Sequence, residues 1–208
     1  MSERRKFIKQ TALVGAGSLL ANTSSQAITP PQRVKNAHVQ SYRRLGRTEL
    51  EVSDISFGSS RLRTGSERLI DHALARGVNY IDTAEGYTNG QSETVIGNAL
   101  KGKRDQAYLV SKTMTSPSTS SETMMHDLEG SLKRLQTDYV DIYMNHAVND
   151  VDVVANAEWA EFVVKAKQQG KIRFTGVSGH AGHLIECLDF AIDEDLVDVI
   201  LSAYNFGQ

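Results

Sequence analysis

The sequence alternates between short apolar runs and amphipathic helical patterns, and this alternation restricts the possible fold more than any other feature. One run and the helical pattern after it occupy about 30 residues, the length of a strand–helix repeat. The runs are apolar on both faces, which is typical of strands buried inside a parallel sheet. The six predicted strands are Ile55–Gly58, Val78–Thr83, Ala107–Lys112, Tyr139–Asn145, Ile172–Val177 and Val197–Ala203.

Helical patterns fill the intervals between these strands. Ser66 and Ser92 are predicted to cap the first two helices, because a serine hydroxyl can accept a hydrogen bond from a free amide of the first turn. The segment Tyr42–Ser53 alternates around a glycine, as a β-hairpin does, and Asp150–Asn156 is predicted to be a polar loop. The predicted helices are Ser66–Ala75, Ser92–Lys101, Met124–Leu135, Trp159–Ala166 and Leu184–Ile192.

Alternating strands and helices predict an α/β protein with a parallel sheet, either a closed barrel or an open doubly wound sheet. No G-x-G-x-x-G motif follows the first strand, where an open dinucleotide-binding sheet would carry it, so the barrel is favoured. A (β/α)8 TIM-type barrel needs about 250 residues and eight units. We therefore expect residues 41–208 to be a barrel of this type that is truncated after the sixth strand.

Composition restricts the partners of the chain. The 208 residues carry a net charge of −2, with 40% hydrophobic and 23% charged residues, which describes an ordinary globular protein and indicates no nucleic-acid partner. Cys187 is the only cysteine, which rules out an intrachain disulfide. The histidines at 180 and 183 do not complete a standard zinc pattern with it, so no metal site is predicted.

The first 27 residues have the pattern of an export signal. A basic segment containing Arg4 and Arg5 precedes a short apolar run, and Ser25–Ala27 forms a small-x-small cleavage site. The paired arginines resemble the twin-arginine signal, which predicts the export machinery as a partner and a periplasmic or other extracytoplasmic location. The apolar run is too short to span a bilayer, so no stable membrane insertion is expected. Residues 28–40 are predicted to be a linker.

Polar side chains follow several of the predicted strands. Asp82 ends the second strand and Tyr87 follows it, Lys112 ends the third, His146 follows the fourth and Ser178 follows the fifth. In parallel barrels the carboxyl ends of the strands carry the active site, so these side chains are expected to lie together. A lone lysine or histidine at such a position is commonly a solvated or structural residue, but four titratable groups at three consecutive strands favour a functional site.

These side chains suit the reduction of a carbonyl group. The carbonyl oxygen needs a proton when hydride reaches carbon, and a free phenol with a pKa of about 10 is a poor donor. An ammonium group near Tyr87 is expected to lower the pKa of its phenol, and Asp82 would hold that ammonium, from Lys112, in place. A neutral imidazole from His146 could bind the same oxygen.

From about Tyr42 onward the sequence resembles the aldo-keto reductase family. The resemblance implies a (β/α)8 barrel, NADPH, no metal, and hydride transfer to an aldehyde or ketone. It implies a catalytic set of Asp82, Tyr87, Lys112 and His146. It also implies cofactor contacts from Asp82, from Ser178 to the nicotinamide carboxamide, and from Gly58 and Ser59 beside the first strand. The matching segments are Asp82–Tyr87, Ser92–Glu93, Ile96–Gly102, Ser111–Thr113, Asp138–Tyr143 with His146, Gly170–Arg173 and Gly176–Ser178.

The sequence departs from the family pattern in three places. Gly179 replaces the usual asparagine after the serine, and Leu201 stands near the usual cofactor-binding glutamine. The sequence also ends at Gln208, before the seventh and eighth strands that carry most phosphate contacts in the family. The pair Gly179-His180 resembles the corresponding residues of a subgroup of reductases that has a C-terminal iron–sulfur extension. Two alternatives to a reductase therefore stay open, a cofactor-sensing binding protein and an inactive fragment. The substrate cannot be named.

Overall fold

The structure is a computed structural model that describes residues 37–204. The predicted signal peptide and residues 28–36 of the predicted linker lie outside the described residues. The strands are β1 Tyr42–Arg44, β2 Glu51–Ser53, β3 Phe57–Gly58, β4 Tyr80–Asp82, β5 Tyr108–Thr113, β6 Val140–Asn145, β7 Ile172–Gly179 and β8 Val199–Ser202. The α-helices are α1 Glu67–Leu74, α2 Gln91–Leu100, α3 Ser121–Leu135, α4 Val151–Val154, α5 Ala157–Gln168 and α6 Leu184–Asp193.

Six parallel strands form one sheet in the order β3-β4-β5-β6-β7-β8. Each strand pairs with the next strand along the chain, and α1, α2, α3, α5 and α6 provide the crossover connections. An open doubly wound sheet reverses its strand order at a switch point, whereas a (β/α)8 barrel keeps the sequential order. The sequential order therefore confirms the predicted parallel α/β fold of the barrel type, seen here as a curled six-stranded part of such a barrel.

The core has one layer on each face of the sheet. Along β5, Leu109 packs into the cluster between the sheet and the helices, whereas Val110 packs into the cluster on the barrel interior. Ile142 and Met144 from β6 join that interior cluster. Because both faces are covered, the strands read as continuous apolar runs in the sequence.

The predicted hairpin is confirmed as the antiparallel pair β1 and β2, with Tyr42 opposite Ser53. Leu50, next to β2, is 2% exposed and packs against Val110 and Ile142 of the sheet. The hairpin therefore covers the apolar interior at the amino ends of the strands, and leaves the carboxyl ends free.

Of the two predicted helix caps, the one at Ser66 is confirmed in position and the one at Ser92 is wrong. Ser66 is the N-cap residue of α1, but its hydroxyl accepts no capping hydrogen bond. The second helix begins one residue earlier than predicted, after Gly90, which has a left-handed conformation with φ of 78°. The hydroxyl of Ser92 instead bonds to the hydroxyls of Thr83 (2.8 Å) and Ser59 (2.8 Å), because its side chain is fully buried beneath β4.

The segment predicted to be a polar loop contains the one-turn helix α4. Asp150 caps it by accepting a hydrogen bond at 3.0 Å from the amide of Asp152. A single turn has no periodicity to detect, and its valines favour strands, so the pattern gave no helical signal. Among residues 37–204, no helix is long and apolar enough to cross a membrane.

Candidate active site

The polar residues predicted from the strand ends do lie at one edge of the sheet. Asp82 ends β4, Lys112 is the penultimate residue of β5, His146 directly follows β6, and Ser178 is the penultimate residue of β7. These strands are neighbours, and their parallel pairing brings their carboxyl ends together. Tyr87 comes from the loop after β4, so five predicted side chains meet at one face.

Asp82 and Lys112 form a buried ion pair. The Lys112 Nζ atom lies 2.8 Å from Asp82 Oδ1 and 2.7 Å from Oδ2, and it also donates to the Thr83 carbonyl at 2.7 Å. The Oδ2 atom lacks a properly aligned hydrogen bond among the described residues. Burial raises the pKa of Asp82 and lowers the pKa of Lys112, and the opposite charge of the partner counteracts the shift in each case. The pair is thus held together in a place where neither charge would be stable alone.

Tyr87 lies against both Lys112 and His146. The ammonium nitrogen of Lys112 is 5.1 Å from the centroid of the Tyr87 ring, and the His146 ring meets the tyrosine edge-on with centroids 5.6 Å apart. Hydrogen bonds hold the loop that carries the tyrosine. The Glu85 amide donates to the Lys112 carbonyl (3.1 Å), and the Tyr87 amide donates to the Ala84 carbonyl (3.1 Å). The loop therefore has a defined position over the end of β5.

The expected lowering of the Tyr87 pKa is wrong. Burial raises the pKa of the Tyr87 phenol, and the negative charge of Asp82 raises it further. The ammonium of Lys112 does not reverse this shift, since its charge is balanced by the adjacent carboxylate. Tyr87 is consequently protonated at neutral pH, which is the form that a proton donor needs.

His146 is neutral at physiological pH. Burial lowers the pKa of its imidazole to about 4, and the positive charges of Lys112 and His180 contribute to this shift. The backbone amide of His146 donates to the Thr113 carbonyl at 2.8 Å, which fixes the residue beside the end of β5. A neutral imidazole keeps one N–H group that can donate a hydrogen bond to a ligand.

An open cavity of about 240 Å³ lies in front of these side chains. It is lined on one side by Tyr87, Lys112 and His146, and on the other by Ser178, His180 and Leu201. The site predicted from sequence is therefore concave, and Tyr87, Lys112 and His146 face a common space, whereas Asp82 is not part of its lining.

Two groups are free to contact a ligand, namely the hydroxyl of Ser178 and the backbone at Gly58. The Ser178 hydroxyl oxygen accepts from the Ala147 amide at 3.2 Å, and its hydrogen has no acceptor among the described residues. No atom lies within 4 Å of the position that a Cβ would take at Gly58, so a ligand can approach the backbone there. The Ser178 hydroxyl and the open backbone at Gly58 fit the polar end of a nicotinamide cofactor, whereas the Oδ2 atom of Asp82 is buried against Lys112.

The hydroxyl of Ser59 is engaged inside the fold. It donates to the Asp82 carbonyl at 2.6 Å and accepts from Ser92, and the residue is 1% exposed. The cofactor contact that the resemblance implies for Ser59 remains a prediction, and these hydrogen bonds assign its side chain to the positioning of Asp82.

The structure explains why the chain lacks the family asparagine after Ser178. A Cβ at Gly179 would overlap the Leu184 side chain of α6 and would lie 2.8 Å from the Val148 carbonyl oxygen. A side chain is therefore excluded at position 179, and the next side chain at the cavity is that of His180.

Sequence reasoning missed Ala147, whose amide positions the Ser178 hydroxyl. Ala147 has a positive φ of 57°, a conformation that an alanine rarely adopts, and no sequence signal marks it. The side chain of Cys187 is buried in an apolar cluster with Val177 and Ala191, whereas the side chain of His183 is exposed. In the part of the chain that the structure describes, no three histidine, cysteine or acidic side chains are grouped as metal ligands would be.

A parallel β/α barrel with polar side chains at the carboxyl ends of its strands is the architecture of a large class of enzymes. Within that class, the sequence profile of the aldo/keto reductase family matches residues 54–205. The chain therefore belongs to the aldo/keto reductase family, a family of oxidoreductases.

Known proteins agree with this assignment. The oxidoreductase YqkF of Bacillus subtilis, itself uncharacterised, is 29% identical over 178 residues, which is 80% of this chain and 57% of the relative. The holo form of the aldo-keto reductase AKR11C1 of Bacillus halodurans matches with a TM-score of 0.69 and 31% identity over 79% of this chain and 57% of that one. An aldo-keto reductase of Klebsiella pneumoniae in complex with NADPH matches with a TM-score of 0.54 and 34% identity, over 67% of this chain and 49% of that one. The chain thus spans about half to three-fifths of the length of these proteins.

Proposed function

We propose that this protein reduces an aldehyde or ketone with NADPH, and that Tyr87 provides the proton. The observation that carries the proposal is the common cavity in front of Tyr87, Lys112 and His146, with Lys112 paired to Asp82 behind it. A phenol, an ammonium and a neutral imidazole around one space suit a carbonyl oxygen that gains negative charge.

Each side chain has a distinct role in this proposal. The phenol of Tyr87 donates its proton to the carbonyl oxygen, and the ammonium of Lys112 lies 5.1 Å from the centroid of the tyrosine ring. Asp82 keeps Lys112 charged and oriented, and His146 donates a hydrogen bond to the same oxygen. NADPH, when bound, supplies hydride to the carbonyl carbon.

The choice of cofactor is supported by relatives and by the site. Solved structures of Klebsiella pneumoniae aldo/keto reductases that resemble this chain are complexes with NADPH or with NADP and acetate. In this chain Ser178 and the open backbone at Gly58 would hold the nicotinamide end, and the family resemblance assigns Asp82 to the same end.

The substitution Tyr87→Phe tests the proposal. It removes the proton donor and keeps the ring, so turnover should fall by about 10²- to 10⁴-fold with little change in NADPH affinity. The matched control is Tyr42→Phe, which alters a tyrosine that bonds to Gly77 at the opposite end of the sheet. Steady-state NADPH oxidation and equilibrium binding measure the two effects. Turnover of the Tyr87→Phe variant within a few-fold of the original protein would refute the role of Tyr87.

We also propose export by the twin-arginine route, on the pattern of residues 1–27. Replacing Arg4 and Arg5 by lysine should keep the protein in the cytoplasm with its first 27 residues uncleaved. Fractionation and mass spectrometry of the amino terminus measure this. Normal export and cleavage of the double variant would exclude the twin-arginine route.

A further inference from the structure

The loop between β3 and α1 carries two exposed arginines, Arg61 and Arg63. Among residues 37–204, neither guanidinium group has a hydrogen bond or an ion pair. The exposed Arg43 and Arg68 also lack such partners among these residues, whereas ion pairs engage Arg44, Arg47, Arg104, Arg134 and Arg173. Two neighbouring guanidinium groups on one active-face loop are therefore available to bind an anion.

Hydrogen bonds fix this loop beside Tyr87. Leu62, which lies between the two arginines, is 6% exposed, and its amide donates to the Ser59 carbonyl at 2.9 Å. Its own carbonyl accepts a hydrogen bond at 2.6 Å from the hydroxyl of Thr88, the residue that follows Tyr87. Because Leu62 is held inward, Arg61 and Arg63 are exposed on either side of it, at the end of the sheet where Tyr87 lies.

The cavity wall offers nothing that would repel an anion. No aspartate or glutamate lines it, whereas Lys112, His146 and His180 do. The carboxylate of Asp82 is not part of this lining and is paired with the Lys112 ammonium. A negatively charged ligand in this cavity would thus meet cationic or neutral side chains.

We propose that the site takes carbonyl compounds that bear an anionic group, and that Arg61 and Arg63 bind that group. This inference rests on the proposed reductase function. A guanidinium group presents a planar fork of donors that matches a carboxylate or phosphate in two parallel hydrogen bonds. The carbonyl group would then reach Tyr87 while the anion stays at the loop. A phosphate of the cofactor has the same chemistry and is the competing source of the anion.

The test compares 4-carboxybenzaldehyde with its neutral methyl ester, in the wild-type protein and in an Arg61→Gln/Arg63→Gln variant. Calorimetry measures binding of both aldehydes in the presence of NADPH, and NADPH oxidation measures kcat/KM. The wild type should prefer the carboxylate by about 10- to 100-fold, the range of one or two charge-assisted hydrogen bonds, and the double variant should lose this preference. Arg43→Gln, which alters an exposed arginine of β1 that also lacks a partner among residues 37–204, should retain it.

Two further outcomes separate the possible failures. If the double variant weakens binding of NADPH but not of NADH, the arginines bind the cofactor phosphate and the proposal is wrong. If neither aldehyde is reduced but the carboxylate binds in an arginine-dependent manner, the anion site stands and the proposed function fails. Equal binding of both aldehydes to the wild type overturns the inference.

Discussion

At the scale of single residues, burial decides the charge states of the candidate site. It raises the pKa of Asp82 and of Tyr87 and lowers the pKa of Lys112 and of His146. Only Asp82 and Lys112 face an opposite charge at contact distance, and so only they are stabilised as ions. Tyr87 and His146 are left neutral, which gives the cavity one proton donor and one neutral imidazole beside a compensated ion pair.

The pKa of His146 has a consequence for stability. Its folded value of about 4 lies below the ordinary value of 6.5, so the unfolded chain binds more protons between these pH values. The contribution of His146 to the free energy of unfolding is therefore fully present above about pH 6.5 and is lost as the pH falls towards 4. Asp82 and Glu85 have raised pKa values, so their contribution to the free energy of unfolding is instead lost as the pH rises.

Comparison with His146→Gln isolates this contribution. Urea midpoints measured from pH 7 to pH 4 should fall more steeply for the wild type than for the variant, whose glutamine does not titrate. Parallel curves for the two proteins would show that His146 binds its proton equally well in the folded and unfolded states.

At the scale of elements, close backbone approach sets how the helices pack. Gly97 lies in α2 against the carboxyl end of α3, and a Cβ there would lie 2.7 Å from the carbonyl oxygens of Arg134 and Leu135. Arg134 also reaches back to bind the fully buried Glu93 of α2 at 2.6 Å. The two helices are thus joined by a contact that requires glycine and by a charge-assisted hydrogen bond.

Gly97→Ala should therefore destabilise the protein by about 1–3 kcal/mol, the range for overpacking a core. Gly130→Ala is the matched control, because the nearest atoms to a Cβ in the middle of α3 belong to the Arg134 side chain, at 3.3 Å and beyond, and not to the backbone. Since alanine favours helices over glycine by about 0.5–1 kcal/mol, that variant should be neutral or more stable. Urea unfolding measures both. A stability loss of the same size in the two variants would contradict the close-contact explanation.

At the scale of the whole molecule, one arginine connects segments about 150 positions apart in the sequence. Arg47, in the turn between β1 and β2, donates to Asp195 (2.7 Å) and to the Val197 carbonyl (2.6 Å), and lies 3.3 Å from Asp198. The hairpin is thereby tied to the loop that leads into β8. That strand pairs with β7, where Leu201 lies opposite Ser178, so the connection also supports one wall of the cavity.

Arg47→Ala should loosen β8 in particular. Amide hydrogen exchange of Val199–Ser202 should become a few-fold faster than in the unaltered protein, because the strand loses an anchor at its amino end. Arg44→Ala is the control, since Arg44 bonds only to Gly46 and Glu49 within its own hairpin. Equal protection of the β8 amides from exchange in the Arg47→Ala and Arg44→Ala variants would show that Arg47 does not anchor this strand.

The sequence by itself determined the order of the strands and helices and which side chains follow which strand. Apolar periodicity is a local property, and parallel strands must place their carboxyl ends together, so Asp82, Lys112, His146 and Ser178 could be assigned to one face in advance. The hairpin at Tyr42 was predictable from its alternation around a glycine, and the barrel type from the absence of a G-x-G-x-x-G motif after the first strand. The one-turn helix α4 and the cap at Gly90 were not, because neither has a pattern long enough to detect.

Only the tertiary structure decided how the assembled side chains behave. Burial depends on every packed neighbour, so the raised pKa of Tyr87 could not be deduced from the proximity of a lysine. The hydroxyl of Ser59 turns inward because Ser92 and the Asp82 carbonyl lie beneath it. The bond from Thr88 to Leu62, which holds the arginine loop beside Tyr87, joins residues 26 positions apart. Such long-range contacts arise from packing, and no local sequence pattern encodes them.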